Sequence, residues 1–246
     1  MDIETKQAIE IDYWRTSVHE SPDSDSVHNL VNKMSDAVVF LDCLPRFVDQ
    51  KTGSGKVLEL GGGQGWASCI YKRLFPAARV TTTDISEFAI QSVHKWERLL
   101  DVSLDRSYAC TSYETKEADS SIDLVFAFAA AHHFLRHKAT LREIARILKP
   151  GGQALYLYEP ATSRILYRAA VWRVNRNRPE VPEDVLSTAH LLELAREQGL
   201  QARVEYYPSA LKRGPFETLY YWILRRLPFL QAILPCTANF VFTKQR

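Results

Sequence analysis

At 246 residues, 46% hydrophobic and 24% charged, the chain has ordinary globular usage, which excludes disordered and fibrous classes and allows one large domain or two small ones. The net charge of +2 is too small for a dedicated nucleic-acid binder, although residues 160–246 hold 13 Lys/Arg against 7 Asp/Glu and leave 1–159 acidic. Cys43, Cys69, Cys110 and Cys236 are scattered, so neither a disulfide framework nor a metal site is expected. An acidic start, MDIETKQAIEID, and a longest apolar run of only Leu124 to Ala131 point to a cytoplasmic chain without a membrane span.

From residue 56 onward short apolar runs alternate with helical patterns. Lys56–Leu60 reads as a buried strand and 67–74 as a helix. A β-branched run over 79–83 precedes Ser86, which is placed to cap one long helix reaching Leu100. A weak strand near 107–110 and a strong one over Ile122–Phe128 follow, then a helix over 139–148 stopped by Lys149-Pro150-Gly151-Gly152. The next strand spans 153–158; beyond it 183–198 is helical, and 202–207 and 238–243 are extended. Continuous apolar strands alternating with helices predict a doubly wound α/β fold, a mostly parallel sheet covered on both faces, with an antiparallel edge strand.

The first strand runs into VLELGGGQG over 57–65, and in such a sheet that turn lies where ligands bind. A dinucleotide fingerprint would need glycine at 66, where Trp66 stands, and no Gly-Lys-Ser/Thr follows to make a P-loop. Three further stretches occur in order: Thr81-Thr82-Thr83-Asp84-Ile85-Ser86, Ser121-Ile122-Asp123-Leu124-Val125, and LREIARILKPGG over 141–152. With these motifs the chain resembles the class I S-adenosylmethionine (SAM)-dependent methyltransferases, strongly over 56–160 and weakly over the final strands. The resemblance implies a Rossmann-like seven-stranded core over 56–246 and SAM as cofactor. It implies that Glu59, Gly61, Gly62, Gly63 and Gly65 form the cofactor turn, that Asp84 grips the ribose hydroxyls, and that Ile85 and Phe128 contact the cofactor. The family often has an acid or amide against the adenine where this chain has Cys110-Thr111-Ser112-Tyr113, so Ser112, Tyr113 or backbone must serve there.

His132 and His133 follow the fourth strand, where an acceptor would meet the methyl group, and an imidazole there suits a general base. Packing or loop ordering is the alternative for both. Glu159, before Pro160, either binds or deprotonates the acceptor or orders a loop. The segment 1–55 resembles the N-terminal helical lid of such enzymes, with Tyr13, Trp14 and His19 in it. Inserts at 162–178 and 211–235 mix arginines with apolar residues, LYYWIL among them, and are expected to cap the acceptor side. Docking on an anionic membrane surface, or completing the core or a dimer, are the other readings. The function expected is methyl transfer to a small, apolar or lipid-like acceptor, with RNA methylation or non-catalytic SAM binding as alternatives. Nucleic acid is not the expected partner, and peripheral membrane contact stays open.

Overall fold

The structure is a computed structural model that describes residues 3–176 and 184–246. The first two residues of the 1–55 segment, the last two of the 162–178 insert and the start of the 183–198 helical stretch lie outside the described residues. Two helices come first, α1 (Ile3–Thr16) and α2 (Val27–Cys43), the latter capped by Ser26, whose hydroxyl accepts from Asn29 N–H at 3.3 Å. The sheet then begins with β1 (Lys56–Leu60), β2 (Arg79–Asp84), β3 (Arg106–Ala109), β4 (Ile122–Phe128) and β5 (Leu148–Thr162). It ends with a two-residue β6 (Leu186–Ser187), β7 (Leu200–Tyr206) and β8 (Cys236–Lys244). The spatial order is β3-β2-β1-β4-β5-β8-β7, with β6 beside the end of β5. Pairing is parallel from β3 through β5. The antiparallel pairing falls at the other edge, where β8 inserts between β5 and β7.

Helices α3 (Trp66–Leu74), α4 (Glu87–Gln91), α5 (Val93–Leu100), α6 (His137–Ile147) and α8 (Thr188–Glu197) follow strands, while α7 (Tyr167–Asn175) and α9 (Pro215–Arg226) belong to the two inserts. The single helix expected from Ser86 to Leu100 is two: Ser92 N–H bonds Ala89 O at 3.0 Å, a tight turn that ends α4 before α5 starts. None of the described helices is long and apolar enough to cross a membrane.

Side-chain alternation along the buried strands builds a core on each face. Leu124, Phe126 and Phe128 of β4 join one, with Phe40 of α2 and Trp66 and Tyr71 of α3; Val125 and Ala127 join the other, with Ile144 of α6 and Phe242 of β8. Phe126 stacks on Tyr71 at 5.6 Å and lies 5.8 Å from Phe40, so α2 is part of this core. Its truncation to alanine would cost about 3–5 kcal/mol.

One irregularity matters for the site. Leu157 and the following residue, Tyr158, both pack on the α2–α3 side, and the β5–β8 register shifts between Tyr156 and Glu159. Tyr158 takes φ +57 there, with its N–H on Asn239 Oδ1 at 2.9 Å. The extra residue is a β-bulge, and it reverses which face every later side chain meets. Glu159 is thereby aimed at the turn that follows β4.

Candidate functional site

Beyond β1 the backbone takes φ +68 at Gly61 and +54 at Gly63, left-handed conformations that only glycine adopts cheaply. Gly62 N–H donates to Thr83 O at 2.8 Å, which ties the turn to β2. Glu59 lies beneath it, accepting from the hydroxyls of Ser68 and of Thr82, the latter at 3.0 Å. The buried-looking glutamate of the motif therefore joins β1, β2 and α3, and burial pushes its carboxyl up to about 7. At the end of β2, Asp84 Oδ2 accepts from Gly63 N–H at 2.8 Å and Oδ1 from Ser86 N–H at 3.0 Å. Desolvation raises its pKa from the ordinary carboxylate value.

These groups form one end of a cavity of about 890 Å³. Glu59, Gly61, Gly62, Gly63, Asp84, Ile85, Ser112, Tyr113, Phe128, His132 and His133 all line it. Gly65 and Glu159 do not. Gly65 starts α3, and a Cβ on it would meet Val93 at 2.9 Å, so its place is in helix packing. In the 110–113 stretch, Ser112 Oγ is paired with Thr140 Oγ1 at 2.9 Å and Tyr113 OH accepts from Gln7 of α1 at 3.1 Å. Thr111 Oγ1 is buried without a hydrogen-bond partner, which makes it the available hydroxyl of that stretch.

Glu159 is fully buried. Its Oε1 accepts from Ala130 N–H at 2.9 Å and Ala131 N–H at 2.8 Å; its Oε2 accepts from His132 N–H at 3.1 Å and lies 2.8 Å from His132 Nδ1. The expectation that it touches an acceptor is corrected to its other reading, a carboxylate that orders the turn after β4 and fixes the His132 ring. His133 Nδ1 lies 4.0 Å from Glu10 Oε2 on α1, and its ring centroid is 4.1 Å from that of His132.

Sequence reasoning passes over Glu10. It lines the cavity with Gln7, Tyr13 and Trp14, positions that share one face of a helix and so could have been found by spacing. Burial, followed by the nearby Asp84 charge, pushes its carboxyl up to about 7. His137 is likewise a wall residue that no motif marks, and Thr111 lies in the 110–113 stretch but is not one of the residues expected to serve there. Of the inserts, 162–178 contributes Tyr167, Val171 and Asn175, whereas 211–235 contributes nothing to this cavity. Tyr221 and Leu224 of α9 pack instead on Cys236, and most of the other apolar side chains of α9 are exposed. The cap expected from LYYWIL is thus not a cavity wall.

A family model described as a methyltransferase domain matches residues 58–156. Among curated relatives, the chain is 27% identical over 130 residues to the malonyl-[acyl-carrier protein] O-methyltransferase of Priestia megaterium, covering 52% of this chain and 41% of that protein. It is 25% identical over 178 residues to the fatty-acid O-methyltransferase of Mycolicibacterium smegmatis, covering 72% and 61%. The chain thus spans less than two thirds of either relative's length. Geranyl diphosphate C-methyltransferase from Streptomyces coelicolor A3(2), solved with Mg2+, geranyl diphosphate and S-adenosyl-L-homocysteine, superposes at TM-score 0.68 over 100% of both chains and 11% identity, a likeness of fold.

Proposed function

We propose that this chain, a class I SAM-dependent methyltransferase by the domain it carries at 58–156, binds SAM in the cavity and methylates a small, lipid-like acceptor at an ionisable atom presented to His133. The observation that carries this reading is the continuity of one cavity from the glycine turn and Asp84 to His132 and His133.

The residues present fit the cofactor. Among the described residues the walls include Glu10, Glu20, Asp36, Glu59, Asp84 and Asp184 and two lysines, Lys6 and Lys33; Lys33 is paired with Glu20 at 3.0 Å, and Asp36 with Lys212. An excess of acids suits a sulfonium that also carries an ammonium group, and it opposes a polyanion such as RNA. A Cβ on Gly63 would stand 3.0 Å from the Trp14 ring, so the bare backbone there lets α1 pack closely over the turn. Bound there, SAM supplies a methyl group on a positively charged sulfur that departs as a neutral thioether.

The chain's own residues then have distinct tasks. Asp84, held by two backbone N–H groups, accepts the ribose hydroxyls with its remaining lone pairs. Glu59 keeps the turn in register, and Thr111 offers a hydroxyl to the purine. Residues 1–55 act as the lid through α1, whose Tyr13 and Trp14 exclude water. Glu159 sets the His132 ring, and His133, with Glu10 beside it, takes the acceptor's proton. Val171 and Phe128 give the wall apolar surface, and the resemblance to a fatty-acid O-methyltransferase supports a lipid-like acceptor.

Calorimetric titration with SAM tests the first half: Asp84→Ala should weaken binding by about 2–3 kcal/mol through loss of charge-assisted bonds. Unchanged affinity would remove Asp84 from the site. Turnover of a weakly acidic acceptor, such as a phenol on a lipid chain, tests the second half: His133→Ala should slow it by about two to four orders of magnitude with SAM affinity kept. Normal turnover would leave His133 without the role of base.

A further inference from the structure

The two inserts carry an exposed apolar surface for which methyl transfer gives no reason. Ile165 is 91% exposed and Trp172 of α7 is 66% exposed; Phe216 of α9 is 91% exposed and Phe229, just beyond it, 65%. Leu219, Trp222, Ile223, Leu227 and Ile233 are exposed as well. So much bare apolar surface on a soluble face marks a place of contact. Its chemistry is not neutral. Residues 162–176 and 211–235 together hold eight Lys/Arg and one acid, Glu217; Lys212 is paired with Asp36 and Arg213 is largely buried, which leaves six cations for the surface.

The cations are interleaved with the aromatics. Arg176 lies 5.8 Å from the Trp172 ring, and Arg226 lies 5.2 Å from the Trp222 ring. Both helices lie at the same end of the sheet: α7 follows the end of β5, and α9 packs on Cys236, which pairs with Ala161 of β5. Along α7, Arg168, Trp172 and Arg176 recur every fourth residue and so form one row. Tyr167, Val171 and Asn175, about 100° around the helix, form the next row and line the cavity. The exposed surface therefore borders the cavity wall.

We propose that α7, α9 and the turn after α9 dock this protein on an anionic lipid bilayer, with Trp172, Phe216, Trp222 and Phe229 in the interface and the arginines on lipid phosphates. Tryptophan beside arginine is the pairing that a membrane–water interface favours, because the ring stays at headgroup depth while the guanidinium stays hydrated. The aliphatic members Ile165, Leu219, Ile223 and Ile233 offer an RNA neither stacking faces nor hydrogen bonds, but they enter an acyl layer readily. A second copy fits poorly, because a two-fold contact would set one cationic face against its equal. The docking stands on this surface alone, whatever the methyl acceptor proves to be.

The full chain can be tested by co-sedimentation with vesicles of phosphatidylcholine, with and without phosphatidylglycerol. The expected result is binding to the phosphatidylglycerol vesicles alone, weakened by added salt and accompanied by a blue shift of tryptophan emission. Phe216→Ser with Trp222→Ser, and separately Arg225→Glu with Arg226→Glu, should each lower partitioning by about tenfold or more. Both variants should keep wild-type SAM affinity, which shows that they are folded. Four results overturn the proposal: no binding to anionic vesicles, equal and salt-independent binding to phosphatidylcholine, wild-type partitioning by both folded variants, or a self-association through this face that both variants abolish. Retention on a mixed-sequence single-stranded RNA in preference to vesicles would assign the face to nucleic acid and overturn it too.

Discussion

Replacing Glu159 by Gln changes one atom and leaves the shape intact, so its effect isolates the carboxylate. The wild-type group receives three backbone N–H bonds, from Ala130, Ala131 and His132, and faces the His132 ring at 2.8 Å. In the variant the amide oxygen can keep the Ala130 and Ala131 bonds, now without charge assistance, at a loss of about 1 kcal/mol each. The new NH2 then points at His132 N–H, which is left unsatisfied against the buried side chain for about 1–3 kcal/mol. His132 Nδ1 can recover by becoming an acceptor, which moves the ring proton to Nε2. The sum is about 3–5 kcal/mol, and at about 2–4 °C per kcal/mol for a chain of this size the Tm should fall by roughly 6–20 °C. Thermal unfolding by circular dichroism reads the first number, and the pH profile of turnover reads the changed tautomer. SAM affinity should move little, because Glu159 is not in the cavity wall. A Tm within about 1 °C of wild type would refute the reasoning, since four bonds to a buried carboxylate cannot be that cheap to disturb.

Glu10 and Glu59 both titrate at about 7, so a cation bound beside them should pull their protons off. SAM binding is therefore expected to release protons between about pH 6 and 8 and to tighten as pH rises through 7, more than binding of the thioether product does. Calorimetry in two buffers of different ionisation enthalpy measures this, and a flat profile that Glu10→Gln leaves unchanged would count against it. The unliganded protein should behave in the opposite sense: each folded-state pKa lies above the ordinary carboxylate value, so stability declines as pH climbs from about 4.5 through 7. Gly63→Ala places a Cβ at φ +54 and 3.0 Å from the Trp14 ring, which costs about 1–2 kcal/mol of strain and should lower SAM affinity by roughly tenfold or more. Wild-type affinity in that variant would mean that neither the strained turn nor the seat of Trp14 on it shapes the cofactor site.

The glycine turn and the β1-α3-β2 order were legible because they depend on local chemistry: apolar runs, a left-handed turn that needs glycine, and an acid at a strand end. The Glu159–His132 pairing was not. It depends on the bulge at Tyr158, and no residue at that position announces a left-handed backbone, since tyrosine is neither glycine nor asparagine. Without the bulge Glu159 would face the opposite core. Glu10 escaped notice because its meaning comes from where α1 lies against β2 and the 131–133 turn. The misplacement of 211–235 has a different cause. The run Leu219-Tyr220-Tyr221-Trp222-Ile223-Leu224 is apolar around most of the helix, so composition could not say that Tyr221 and Leu224, with Tyr220 half-buried beside them, face inward while the rest do not.

The α1 helix has a further consequence for the order of events. Among its cavity-lining residues only Trp14 is buried, and the helix is held there by Gln7 on Tyr113 OH at 3.1 Å and Glu10 4.0 Å from His133. Both anchor points lie in the cavity wall, and on the proposed reading His133 is the group that meets the acceptor. A ligand thus competes with α1 for its own contacts, and the same side chains serve as a latch before binding and as walls after it. If α1 is the lid proposed above, the population of its unlatched state would scale every apparent dissociation constant, and the rate of unlatching would limit how fast spent cofactor leaves. Substitutions at Gln7 would then alter the pace of exchange without touching the chemistry at His133.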